Sequence, residues 1–276
     1  MIEIITKGAS AQRTRVALFD FDGTLSTIRS GWMDIMIPMM VQVLVDLKSG
    51  ETEAEIRAIV EDFVGRLTGK QTVYQMIELA DQIRQRGGTP LDPLSYKRMY
   101  LDALWQRIEG RIVDLKKGNT SPETYLVPGS RALLESLRER GFKLYLASGT
   151  DDAYMQEEAR LLDVTRYFDG GVYGALDDYQ SFSKAILIQR IINSAEFRGH
   201  EFLGFGDGYV EIENVKNVGG VAVGVATSEP DCLVVDEWKR SRLVGVGADF
   251  IVPNFLEQER LFEVLFPVAK QSPISQ

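Results

Sequence analysis

The chain has 276 residues, of which 45% are apolar, 26% charged and 9% aromatic. That is the balance of an ordinary globular protein, long enough to fold without disulfides or a structural metal. Its 31 Lys and Arg against 40 Asp and Glu leave a formal charge of −9, which argues against general binding to nucleic acid or anionic membrane.

Cys232 is the single cysteine and His200 the single histidine. An internal disulfide, a Cys-based zinc cluster and a multi-His metal site are therefore excluded. Chemistry must rest mainly on carboxylates, lysine and hydroxyls. Cys232 reads as an inert thiol, and His200, just before a strand, as structural or exposed.

Residues 1–10 lack the apolar core of a signal peptide. The greasiest stretch, 32–47, is broken by Asp34, Pro38, Gln42 and Asp46 and falls short of the ~20 apolar residues a membrane span needs. It reads as a buried or partner-facing helix, with Trp32 packed inside the helical region and Met33, Met36, Met39 and Met40 on an adaptable apolar face. The simplest compartment is the cytoplasm.

In chain order, 15–20 (RVALFD) is a short strand. From 30 to 118 the period is helical throughout. Ile56, Ile59, Val60, Phe63, Val64 and Leu67 form one stripe, Val73, Met76, Ile77, Ala80 and Ile83 a second, and Leu101, Leu104, Trp105, Ile108, Ile112 and Leu115 a third. Beyond Ser121-Pro122 the rhythm changes. Pro128-Gly129 opens a helix that Gly141 ends, and 143–147 (KLYLA) is a strand. Helices at 152–162, 184–192 and 211–218 then alternate with strands at 201–205, 221–225 and 249–252. The tail 270–276 reads as frayed. Alternating strands and helices predict an α/β fold with a parallel sheet covered on both faces. Its core is residues 1–26 and 123–276, split by an all-helical insert, 27–122.

Right-handed crossovers bring all strand C-termini to one edge, where ligands bind in such sheets. Strand one ends in Asp20-Phe21-Asp22-Gly23-Thr24, KLYLA in Ser148-Gly149-Thr150, and EFLGF in Gly206-Asp207-Gly208. Lys184 opens a helix. Clustered carboxylates repel unless a cation joins them, and hard oxygen donors without His or Cys point to Mg2+. Ser148, the amides after it and Lys184 are phosphate-type donors. These residues together predict metal-assisted phosphoryl transfer.

Asp20-Phe21-Asp22-Gly23-Thr24-Leu25 resembles the DxDGT signature of the haloacid-dehalogenase-like hydrolase superfamily. Leu146-Ala147-Ser148-Gly149 is similar to its second motif, Lys184 to its third, and Gly206-Asp207 with Glu211 to its fourth. The likeness covers roughly residues 15–26 and 123–255. It implies a Rossmann-like doubly wound parallel sheet with the insert as a C1-type cap domain. It further implies Asp20 as nucleophile forming an aspartyl-phosphate, and Asp22 as general acid and base. Mg2+ would be held by Asp20, the Asp22 carbonyl and Asp207, with Glu211 as a ligand or one step removed, and Glu213 as its rival. Ser148, Gly149 and Lys184 would bind the phosphoryl group. Loops such as 68–72 reach the site in related caps, so Gly69 and Lys70 are specificity candidates, though a lysine after a loop glycine is ordinarily only solvated. Arg29 and Trp32, just past the first motif, are weaker candidates.

The resemblance implies a Mg2+-dependent phosphatase of a small phosphorylated metabolite, a sugar phosphate or a phosphoglycolate-like acid, acting as monomer or homodimer. A phosphotransferase or mutase on the same scaffold, and a catalytically silent metabolite-binding or regulatory protein, are the alternatives. The segment 229–247, with Trp238-Lys239-Arg240, has no role that its sequence discloses.

Overall fold

The computed structural model describes residues 2–176, 178, 183–194 and 196–267; the tail 270–276 lies outside them. Strands β1 (Glu3–Ile4), β2 (Val16–Phe19), β3 (Lys143–Asp151), β4 (Gly171–Ala175), β5 (Phe202–Gly206), β6 (Val221–Val225) and β7 (Phe250–Val252) form one sheet in the order β1-β7-β6-β5-β2-β3-β4. All pairings are parallel except β1 with β7, which is antiparallel. The two-residue β1 went unread in the sequence, as did β4, whose Gly-Val-Tyr-Gly-Ala carries too few apolar residues to signal a strand.

Alternation along β2 divides its side chains between two cores. Ala17 and Phe19 face one apolar cluster, Val16 and Leu18 the other. Phe19 stacks on Phe205 of β5 with ring centroids 4.5 Å apart. Both neighbours of β2 run parallel to it, β3 on one side and β5 on the other. The order therefore switches direction at β2, the place where open α/β sheets bind ligands.

Between β2 and β3 stand helices α1 (Met33–Val45), α2 (Glu53–Arg66), α3 (Thr72–Gln85) and α4 (Pro93–Lys117), followed by a short 3-10 turn and α5 (Ser130–Glu139). The three apolar stripes lie on α2, α3 and α4, with Val60, Phe63, Met76, Leu79, Leu104 and Ile108 buried. Thr52 and Glu55 form a reciprocal capping box that starts α2. The apolar cluster on the Phe19 face continues into these helices through Phe21, Leu25 and Ile28. Arg111 of α4 donates to the carbonyls of Ile28 (2.7 Å) and Ser30 (3.1 Å), and Lys97 pairs with Asp151 at the end of β3. The helical insert is thus anchored to the core by polar contacts as well as packing.

The remaining helices are α6 (Asp152–Leu161), α7 (Lys184–Asn193), α8 (Tyr209–Asn217), α9 (Glu237–Gly245) and α10 (Gln258–Leu265). None of the described helices is long and apolar enough to cross a membrane.

Candidate active site

The chain leaves β2 through Asp20, whose N–H still donates to the Phe205 carbonyl at 2.9 Å. It then folds into a tight loop in which the N–H groups of Thr24, Leu25 and Ser26 all point at the Phe21 carbonyl. Gly23 makes that loop possible with φ +74. A Cβ there would stand 2.1 Å from Asp207 Oδ2, so only glycine lets the Asp207 carboxylate lie against this backbone. Thr24 Oγ1 in turn accepts from the Asp207 N–H at 2.9 Å. The loops after β2 and β5 are thereby knitted together.

Asp20, Lys184 and Glu211 form one buried constellation. Lys184 Nζ lies 2.6 Å from Asp20 Oδ1 and also contacts Glu211 Oε1. Ser183 caps α7 by accepting from the Ile186 N–H, which fixes where Lys184 leaves the helix. The second oxygen of Glu211 is buried with no hydrogen-bond partner. Glu213, its rival in the sequence, lines a cavity with Tyr74, Val210, Ser148 and Lys184.

Asp22 receives two hydroxyls on one oxygen, Ser148 Oγ at 3.2 Å and Thr150 Oγ1 at 2.8 Å. Its other oxygen is buried and accepts no hydrogen bond, although Arg29 Nε lies 3.9 Å away. Burial pushes the Asp22 carboxyl up to about 7, with Arg29 drawing it down and Glu158 and Asp20 raising it further. Asp22 is thus able to exchange a proton near neutrality. Burial likewise raises Asp207 to about 6, opposed by Lys239 and supported by Asp20.

Two groups here were not legible as a pair or as a site. Arg29 makes a forked contact to Glu158, with Nε at 3.1 Å from both carboxylate oxygens and Nη2 at 2.7 Å from one. Lys239, from the segment without an assigned role, lies 2.9 Å from Asp207 Oδ2. Among the described residues no three His, Cys, Asp or Glu side chains are grouped so as to hold a metal ion by themselves. The donors nevertheless suit a hard cation. Among the described residues, Asp20, Asp22, Asp207, Glu211, Glu158 and Glu229 face Arg29, Lys184 and Lys239 as countercharges, and a partnerless buried oxygen remains on Asp22 and on Glu211.

The helical insert closes the site. Gly69, with φ +91, lies so near Glu211 that a Cβ would sit 2.6 Å from each carboxylate oxygen. Gly149 faces the Lys70 carbonyl, which a Cβ there would meet at 2.4 Å. Asp20, Asp22, Ser148 and Asp207 form the core side of the resulting cavity. Lys70, Thr72, Gln75, Met36, Tyr100 and Trp32 line it from the insert. Trp32 therefore faces the cavity as well as packing on the apolar cluster. Arg29 lines the cavity too. His200 is exposed, and Cys232 is a buried thiol that burial pushes up to about 12.

Comparison with known proteins agrees with this geometry. A family model described as haloacid dehalogenase-like hydrolase matches residues 14–219. No curated protein matches the chain. Among solved structures, a predicted phosphoglycolate phosphatase of Haemophilus somnus is 14% identical, with TM-score 0.56 over 90% of this chain and 98% of that one. A predicted phosphatase of Clostridium acetobutylicum is 17% identical, with TM-score 0.55 over 91% and 99%. A β-phosphoglucomutase of Clostridium difficile is 13% identical, with TM-score 0.53 over 84% and 98%. At these identities the solved structures bear on the fold alone. The match of the family model over most of the chain, on the residues that build the sheet edge just described, places this protein in the haloacid dehalogenase-like hydrolase family.

Proposed function

We propose that the protein is a Mg2+-dependent phosphatase of a small phosphorylated metabolite, with residues 27–122 as its cap. The observation that carries the reading is the pairing of Asp20, held by Lys184 at 2.6 Å on one oxygen, with Asp22, two residues on, which accepts the Ser148 and Thr150 hydroxyls on one oxygen and keeps the other free of hydrogen bonds. One is a fixed nucleophile and the other a proton carrier, and phosphoester cleavage needs both.

In the first half-reaction the free oxygen of Asp20 attacks phosphorus, and the ester P–O bond breaks. Asp22 gives its proton to the departing oxygen. In the second, Asp22 takes a proton from water as that water attacks the aspartyl-phosphate, which releases phosphate and restores Asp20. Ser148 and Lys184 hold phosphoryl oxygens and offset the charge that develops on them. Glu211 keeps Lys184 in place.

Asp20, Asp207 and the Asp22 main-chain carbonyl would hold the cation. A site with few protein ligands suits Mg2+, which keeps room for water and phosphate. When bound, Mg2+ supplies positive charge to the phosphoryl oxygens. The cap side, with Lys70, Gln75, Trp32 and Tyr100 over the cavity, supports a compact substrate such as a sugar phosphate or a phosphoglycolate-like acid, met in the cytoplasm. The test is a panel of phosphorylated metabolites with Mg2+, scored for phosphate release and for isomer formation. Release without isomers is expected. Isomer formation would make the protein a mutase, and neither product would make it a binding protein.

A further inference from the structure

One buried cation at the sheet edge lies outside the four motifs. Lys239 Nζ is 2.9 Å from Asp207 Oδ2 and 2.9 Å from Glu229 Oε1, with its side chain 11% exposed. Its placement is built from several directions. Asp236 caps α9 by accepting from the Lys239 N–H at 2.9 Å. The loop that carries Glu229 folds back on itself. Cys232 N–H donates to the Ser228 carbonyl at 2.9 Å, and Asp236 N–H to the Ala226 carbonyl at 2.8 Å. Asn254 Nδ2 holds the Cys232 carbonyl at 2.7 Å. Further along α9, Arg242 stacks on Trp238 at 4.3 Å and lies against Gly65 of α2, so the helix is held from the cap side as well.

We propose that Lys239 is a positioning residue that fixes Asp207 through one oxygen, so that the other is presented to a divalent cation, with Glu229 holding the ammonium in turn. The proposal rests on the metal-dependent reading above. A carboxylate free to rotate offers its oxygens in many directions, whereas Mg2+ demands near-octahedral geometry at short distance. A group that hydrogen-bonds a metal-ligating carboxylate orients it and tunes its affinity. Lysine has three donors and no acceptor. One donor on Asp207 and another on Glu229 prevent the ammonium from swinging away. Lys239 does not touch the reacting atoms. A lysine that served only as a countercharge would compete with the cation for Asp207, and its loss would tighten cation binding. The two roles therefore differ in sign.

The test is direct titration of Mn2+ and Mg2+, without substrate, into the unsubstituted protein and into Lys239→Met, Lys239→Arg and Glu229→Gln. Unfolding curves in chelator establish that each variant is folded. The expected result is cation binding ~10–100-fold weaker in Lys239→Met, largely recovered in Lys239→Arg, with a smaller weakening in Glu229→Gln. Unchanged or tighter binding in Lys239→Met overturns the proposal. Should that variant fail to fold, Glu229→Gln decides, and unchanged or tighter binding there overturns it equally. No binding by the unsubstituted protein overturns the metal-dependent reading itself and this proposal with it, which separates the two failures.

Discussion

Gly69 in the loop between α2 and α3 packs its Cα on the carboxylate of Glu211, the residue that also contacts Lys184. The insert therefore touches the buried Lys184–Glu211 pair through backbone rather than through a side chain. Gly69→Ala is expected to lower kcat/KM at least ~10-fold and to lower the melting temperature by a few degrees. The new Cβ collides with Glu211, and φ +91 is a conformation that costs an L-residue about 1–2 kcal/mol. Steady-state kinetics beside a thermal melt check it. Unaltered kinetics would mean that the loop need not seat on Glu211.

Lys70, the next residue, lines the cavity and carries its ammonium 5.8 Å from the Tyr74 ring centroid. Lys70→Ala is expected to cost about one to two orders of magnitude in kcat/KM on the true substrate, the scale of one charged hydrogen bond of about 1.5–3 kcal/mol. Hydrolysis of p-nitrophenyl phosphate should change far less. Equal losses on both substrates would assign Lys70 to cap closure, and no loss on either would return it to a solvated lysine.

The pH dependence of stability follows from the two raised carboxyls. Asp22 at about 7 and Asp207 at about 6 both stand above their ordinary value of 3.8. Between about pH 4 and pH 7 the folded state therefore keeps protons that the unfolded state has lost, and stability falls as pH rises through that window. Burial works against the charge of Lys239, but Asp207 and Glu229 push its pKa up. It stays protonated across the window and adds no slope. Urea unfolding in chelator is expected to show a decline of up to a few kcal/mol that is shallower in Asp22→Asn, and added Mg2+ should flatten it. A slope identical in Asp22→Asn would contradict the raised carboxyl.

Arg29 and Glu158 are buried, with side-chain exposures of 8% and 3%. Removing one partner leaves the other charge without compensation inside the protein. Arg29→Ala is expected to destabilise the fold by about 3–5 kcal/mol, measured by chemical denaturation. A loss under 1 kcal/mol would show that solvent reaches the pair. Because Arg29 also stands 3.9 Å from Asp22, the activity of this variant should fall as well.

The strand-end residues were legible because the end of a parallel strand must present its polar groups at one edge: Asp20 and Asp207 each follow such a strand, and Ser148 lies near the end of β3, which runs on to Asp151. The helical insert was legible because its apolar spacing holds through α2, α3 and α4. Other contacts carry no local signal. Arg29 and Glu158 are 129 positions apart, and nothing near either residue announces the other. Lys239 sits among Trp238, Arg240 and Arg242, a run whose sequence discloses no role. Only the fold-back of the 226–236 loop turns it toward Asp207. Trp32 sits just before α1, and its facing of the cavity depends on how α1 packs over the sheet edge, which periodicity does not specify. The edge strand β1 is two residues long, below the length at which alternation can be read.

The proposed reaction requires Asp20 to carry the phosphoryl group. The most direct measurement is acid quenching of a single turnover with substrate labelled at phosphorus, followed by counting label on the protein and mapping the labelled peptide. The expected result is an acid-stable, hydroxylamine-labile label on the peptide containing Asp20, absent in Asp20→Asn, with turnover in that variant reduced by at least about four orders of magnitude. Turnover with no protein-bound label, persisting in Asp20→Asn, would contradict it.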